Sequence, residues 1–266
     1  MTKYSPTTLL LSLLLLTACQ PETPEQDQGP EPHTAPAAAP KNLSAAEQLL
    51  DRTVEAHGGD RYNMANYGFV FRGKDYTFAN DGTSYRYSVT TEKDGAKIVD
   101  VLDNGKLTRT VGGKETELSA KDQARYGEAL NSVIYFATLP HKLQDPAVQL
   151  TLLEPTTIQG KPYHTLMVQF AKEGGGKDHD DNFRYWVNQQ TNRIDYLAYD
   201  YKTNKGGVRF RSAYNPRVVD GILFQDYVNY KAPLGTNLDS LPAMFDRGEL
   251  AELSRIETEE VGSLER

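Results

Sequence analysis

The sequence predicts an α+β chain that is mostly β, a strongly curved antiparallel sheet wrapped around or closed by two or three helices. Three observations carry that prediction. Apolar and aromatic side chains alternate with polar ones in about nine or ten segments between Tyr67 and Tyr230. Short runs of Gly, Asn and Asp separate these segments. Two other stretches carry their apolar side chains at three- and four-residue steps instead. No internal repeat is apparent, which argues against a propeller or solenoid. A closed meandering barrel is the alternative arrangement of so many strands.

The first helix is predicted after Ser44. That residue is a good N-cap, Glu47 completes a capping box, and Leu49, Leu50, Thr53, Val54 and Ala56 follow at helical spacing. His57-Gly58-Gly59 ends it, with His57 suited to the negative end of the helix dipole and Gly58 free to take a left-handed conformation. The period then switches to two. Tyr67, Phe69 and Phe71 alternate, as do Tyr85, Tyr87 and Val89, with Asn80-Asp81-Gly82 as a turn between them. Asn104-Gly105 between Ile98–Leu102 and Leu107–Val111 marks a tight hairpin, because Asn-Gly readily supplies two positive φ angles.

A second helix is predicted from the Ser119 cap through Tyr126, Leu130, Val133, Ile134 and Ala137 to Pro140. Its end, Val133 to Leu139, is apolar nearly all round, the pattern of a deeply packed helix. Strands resume at Val148–Leu152, His164–Phe170, Phe183–Val187, Ile194–Tyr201, Val208–Tyr214 and Ile222–Tyr230. A short helix over Leu238–Asp246 and a single last strand within Leu250–Val261 complete the set.

The N-terminus has a different character. Lys3, an apolar run from Leu9 to Leu16 and the ending Leu16-Thr17-Ala18-Cys19 are the parts of an export signal over residues 1–18. The apolar run is shorter than the roughly 20 residues that span a bilayer. Leu-Thr-Ala-Cys resembles a lipobox, in which the cysteine receives a diacylglycerol and palmitate, so Cys19 is the expected lipidation site. Cys19 is the only cysteine in the sequence, so the folded body has neither disulfide nor thiol chemistry. Resemblance to enterobacterial lipoprotein sorting, in which Asp after the lipidated cysteine retains the protein at the inner membrane, makes Gln20 imply delivery to the outer membrane, facing the periplasm of a Gram-negative cell. Residues 19–41 carry six prolines between Gln20 and Pro40 and no large apolar side chain, the composition of a disordered tether. Residues 42–266 then form one domain. A formal net charge of −7 without basic clusters argues against nucleic acid and anionic lipid surfaces as partners.

Several segments carry a family resemblance. Ala56-His57-Gly58-Gly59 followed by antiparallel strands, an embedded helix and further strands resembles the LolA/LolB-type lipoprotein-carrier superfamily. A narrower likeness, over roughly residues 45 to 261, is to a family of bacterial lipoproteins with no assigned activity. It rests on Phe71-Arg72-Gly73-Lys74-Asp75-Tyr76, Asn131-Ser132-Val133-Ile134-Tyr135-Phe136, Leu143-Gln144-Asp145-Pro146-Ala147-Val148 and Glu173-Gly174-Gly175-Gly176-Lys177-Asp178. Asp195-Tyr196-Leu197-Ala198-Tyr199 and Arg209-Phe210-Arg211-Ser212-Ala213-Tyr214-Asn215-Pro216-Arg217 continue it. The resemblance implies an incomplete β-barrel and an apolar cavity for a lipid or other hydrophobic ligand. The chain is longer than those carriers and shows no isolated leucine loop of the kind that delivers cargo to membranes.

The candidate functional residues follow from chemistry. There are 16 Tyr against 9 Phe and 1 Trp, an excess that strand-rich architecture alone largely explains. If a cavity exists, Tyr76, Tyr85, Tyr87, Phe136, Tyr185, Tyr196 and Tyr199 are the expected lining. Arg209 and Arg211, alternate residues on one face of a strand, would bind an acidic head group unless they are outward residues balanced by acidic neighbours. Asp178, His179, Asp180 and Asp181 are weak metal candidates, since their spacing fits no fixed ligand pattern and a solvated glycine-rich loop explains them as well. No nucleophile elbow, metalloprotease helix or phosphate loop is present. The expectation is a non-enzymatic binding protein without cofactor. An envelope scaffold that binds a protein partner is the alternative, and a hydrolase using scattered Asp, His and Tyr is a third.

Overall fold

The computed structural model describes residues 42–173, 181–202 and 205–265. The expected signal, Cys19, the tether and Asp178, His179 and Asp180 lie outside the described residues. Helix α1 (Ala45–His57) opens the domain. Ser44 Oγ accepts from Glu47 N at 3.2 Å and Glu47 Oε2 accepts from Ser44 N at 2.7 Å, which satisfies two donors the helix end would otherwise leave open. Gly58 closes the helix at φ 136°, where a Cβ would lie 3.1 Å from both Gly221 O and Ile222 Cα. His57 does not carry the dipole-stabilised charge that its position suggests. It is buried, its Nε2 accepts from Ile194 N at 3.1 Å, and burial, with Arg193 adding to it, lowers its pKa to about 3.

Six strands follow as a meander: β1 (Asn66–Phe71), β2 (Lys74–Asp81), β3 (Ser84–Lys93), β4 (Ala96–Asp103), β5 (Lys106–Val111) and β6 (Lys114–Glu115). The β4–β5 reversal has φ 46° at Asn104 and 88° at Gly105, as the Asn-Gly pair predicts. Helix α2 (Ala120–Ala137) leads to a second meander of β7 (Val148–Ile158), β8 (Lys161–Phe170), β9 (Asn182–Asn188), β10 (Ile194–Tyr201), β11 (Gly207–Val219) and β12 (Ile222–Ala232). A 3-10 turn at Leu238–Ser240 and helix α3 (Leu241–Asp246) precede β13 (Ala251–Ile256) and β14 (Glu259–Ser263).

The protein is α+β and mostly β, with antiparallel strands in two seven-stranded sheets that do not close into a barrel. The first sheet runs β14-β1-β2-β3-β4-β5-β6 and the second β13-β12-β11-β10-β9-β8-β7. The single last strand expected from the sequence is therefore two, each on the edge of a different sheet. The chain changes sheets at Glu257-Thr258, where Asp226 accepts from Thr258 N at 3.0 Å and Arg217 donates to both Asp226 and Thr258. The large apolar side chains of this stretch are only Leu253, Ile256 and Val261, too sparse to reveal the change.

Three apolar cores hold the layers. One lies between α1 and the second sheet (Leu49, Leu50, Val54, Val168, Tyr185 and Leu197) and one between α2 and the first sheet (Phe69, Phe78, Tyr87, Leu130 and Ile134). The third fills the opposite face of the second sheet under α3, with Trp186, Tyr196 and Phe210 beneath Leu241 and Phe245. Helix α2 is not buried all round as its composition suggests. Leu130 and Ile134 are buried, whereas Val133, Tyr135 and Phe136 are only half-buried. Among the described residues no helix is long and apolar enough to cross a membrane.

Candidate functional site

The half-buried Val133, Phe136 and Ala137 of α2 face a cleft of about 380 Å³. Its floor is the second sheet, where Phe183 on β9, Tyr199 and Tyr201 on β10, and Arg209 and Arg211 on β11 share one face. Val133, Phe136 and Ala137 of α2 form one wall, and Phe71 and Arg72 at the β1–β2 reversal form another. A second cleft of about 450 Å³ lies on the other side of α2 against the first sheet, and shares Phe71, Arg72 and Val133 with the first. Between two clefts, a helix needs apolar side chains around most of its circumference without being buried. That is why Val133 to Phe136 resembles a core sequence.

The two arginines are fixed by two tyrosines. Arg211 donates from Nη2 to Tyr199 Oη at 2.8 Å, and its guanidinium carbon lies 4.0 Å from the Phe136 ring centroid. Arg209 donates from Nη2 to Tyr201 Oη at 2.6 Å and from Nη1 to Val208 O at 3.0 Å. Arg211 is only 7% exposed, and its Nε is buried without an acceptor. Among the described residues no carboxylate forms an ion pair with either arginine. Gly207, opposite Tyr201, lets this arrangement form, because a Cβ there would fall 2.5 Å from Tyr201 Oη and 2.8 Å from Arg209 Nη1.

Of the residues singled out from sequence, Phe136, Tyr199, Arg209 and Arg211 line this cleft. Tyr76 lines the second cleft, stacked on Phe69 with ring centroids 5.5 Å apart. Tyr85 and Tyr87 lie elsewhere on the first sheet, stacked 4.6 Å apart beneath the Lys142 ammonium group. Tyr87 is buried in the core. Tyr185 is fully buried, its hydroxyl 2.9 Å from that of Tyr135, and burial raises the pKa of both phenols. Tyr196 points the other way, into the core under α3 against Phe245. Tyr196 and Tyr199 are three residues apart, so strand alternation puts them on opposite faces. Asp181 is buried and lines the cleft. Among the described residues no group of three or more His, Cys, Asp or Glu side chains is placed to hold a metal.

Sequence reasoning missed Tyr201, Phe183, Tyr227, Phe71 and Arg72. Alternation from Tyr199 would have found Tyr201. No local signal marks Arg72, which reaches the cleft through a reversal with φ 51° at Arg72 and 67° at Gly73.

Two open antiparallel sheets with a helix between them and a cleft on one sheet define a β-rich cleft protein. The chain belongs to the DUF6503 family, described as a family of unknown function, whose model matches residues 41–258. In structure it is similar to a LolA superfamily protein from Nitrosomonas europaea, with a TM-score of 0.48 and 10% identity over 84% of this chain and 96% of that one. It is also similar to a DUF1329 family protein from Desulfovibrio piger, with a TM-score of 0.47 and 11% identity over 83% and 94%. A further similarity is to a putative outer membrane lipoprotein-sorting protein domain from Vibrio parahaemolyticus, with a TM-score of 0.39 and 9% identity over 76% and 99%. No curated protein matches the chain in sequence.

Proposed function

We propose that this protein is a lipid-anchored, envelope-located binding protein that holds a hydrophobic or amphipathic ligand in the cleft between α2 and the second sheet. The observation that carries this reading is α2 itself. It presents Val133, Phe136 and Ala137 to open space of about 380 Å³ instead of to a packed core. Leaving such side chains half-exposed forgoes roughly 25 cal/mol for each Å² not removed from water, which an apolar ligand would recover. The reading involves no chemical step, so the protein acts by binding alone. The lipobox at Cys19 supports the anchoring half of the proposal.

A neutral apolar dye, N-phenyl-1-naphthylamine, tests the cleft. Its fluorescence is expected to rise and shift to the blue on saturable binding to the wild-type protein. The S132W variant, which adds bulk at the exposed cleft wall, should weaken that binding without lowering the melting temperature. Absence of saturable binding to wild type would remove the reading. For the anchor, palmitate labelling in cells should be lost in C19S, and equal labelling of both forms would exclude lipidation at this residue.

A further inference from the structure

We propose that Arg211, assisted by Arg209, is the subsite for an anionic head group, a carboxylate or a phosphate monoester, of an amphiphile whose apolar part lies along Phe136 and Val133. This inference rests on the hydrophobic-cleft reading and names the class of ligand. The cost of burying Arg211 is the starting point. A guanidinium carries five N–H donors and cannot lose its charge in a protein. Here one of those donors reaches a protein acceptor, the Tyr199 hydroxyl, and the buried Nε reaches none. The Phe136 ring face supplies a weak electrostatic partner, but no accepting atom.

Three half-buried arginines elsewhere in the fold are treated differently. Arg109 makes a two-point pair with Asp100 at 2.6 Å for both contacts, Arg184 pairs with Asp239 at 2.7 Å, and Arg217 with Asp226 at 3.1 Å. Arg211, more buried than any of these, faces the cleft and pairs with no carboxylate among the described residues. A buried charge left without a counter-charge is costly, and a planar guanidinium matches the two oxygens of a carboxylate or phosphate. Arg209 adds a second positive charge two residues away on the same face. Asp181 also lines the cleft. Gln225 and Asn229, on β12 of the floor, supply neutral polar groups, so the subsite has a net positive local character in a chain of net charge −7.

The test compares 11-(dansylamino)undecanoic acid with its methyl ester, two probes that differ at the head group alone. Wild-type protein is expected to bind the acid roughly ten- to a hundredfold more tightly than the ester, the range for hydrogen bonds to a charged group. R211Q should lose that preference and still bind the ester. R211K, which keeps a charge without the planar fork, should retain part of it, and R209Q should reduce it less than R211Q. Equal affinity for acid and ester in the wild type would overturn the head-group assignment while leaving the cleft reading intact. So would an unchanged preference in a folded R211Q, or in R209Q and R211K together if R211Q fails to fold. Failure of both probes to bind would overturn both readings. Displacement of the acid by acetate or inorganic phosphate at matching concentration would show a site for free anions and overturn the amphiphile assignment. A purely structural Arg211 holding α2 to the sheet would change melting temperature without changing the acid-to-ester ratio.

Discussion

Arg211 and Tyr199, on neighbouring strands of the second sheet, meet at 2.8 Å, and the tyrosine hydroxyl is the one protein acceptor that the buried guanidinium reaches among the described residues. Y199F removes that acceptor and keeps the ring. The expected outcome is a loss of about 1–3 kcal/mol in urea unfolding, the cost of leaving a buried charged donor unmet. Saturating 11-(dansylamino)undecanoic acid should narrow the difference between wild type and variant, because its carboxylate supplies an acceptor to Arg211.

Gly207 gives a sharper test of cleft geometry. G207A places a methyl where Tyr201 Oη and Arg209 Nη1 now lie. Both contacts are with the far ends of side chains, which must move aside from their present positions in the cleft. Dye binding in the cleft should weaken more than global stability does, measured as a rise in dissociation constant alongside a small fall in melting temperature. Unchanged affinity would show that Tyr201 and Arg209 do not shape the bound state.

The Asp100–Arg109 pair ties β4 to β5, and the Arg109 guanidinium lies 3.8 Å from the Tyr126 ring centroid on α2. The Asp100 hydrogen bonds raise the Arg109 pKa further. D100A leaves the half-buried Arg109 cation without its partner, so a loss of about 1–3 kcal/mol is expected in urea titration. Replacing both with leucine should recover most of it, because the pair's own desolvation cost disappears with the charges.

Stability should fall as the medium is acidified below neutrality. Burial holds the His57 pKa at about 3 and that of His141 at about 4, against 6.5 for an unhindered imidazole. Above pH 6.5 both folded and unfolded chains carry these rings neutral, and the contribution to stability is complete. Between pH 6.5 and about 3–4 the unfolded chain takes up protons that the folded one refuses, so stability declines through that window by a few kcal/mol. H57Q keeps an acceptor for Ile194 N and should flatten the slope of melting temperature against pH. An equal slope in H57Q would assign the acid sensitivity to other groups.

The elements were legible wherever the signal was local. The Ser44–Glu47 box set the start of α1, and Asn104-Gly105 set a hairpin. Period-two alternation located most strands, but it cannot say to which sheet a strand belongs. The change of sheet at Glu257-Thr258 therefore read as a continuous strand. The site was half legible for a related reason. Arg209 and Arg211 are two positions apart on one strand, so their shared face follows from the backbone, whereas the approach of Phe71 and Arg72 depends on how a distant hairpin packs. His57 misled because a helix end and a buried pocket make opposite demands on its charge, and burial wins.

The passage from β13 to β14 has a mechanical consequence. Three peptide steps separate Ile256 from Glu259, so their Cα atoms cannot stand more than about 11 Å apart however the rest of the molecule moves. The two sheets are stitched along that seam like pages at a spine, and Asp226 and Arg217 are the binding. Ile256 and Thr258 at that seam also line the cleft, so the stitching fixes one side of the space that Val133 and Phe136 bound on another.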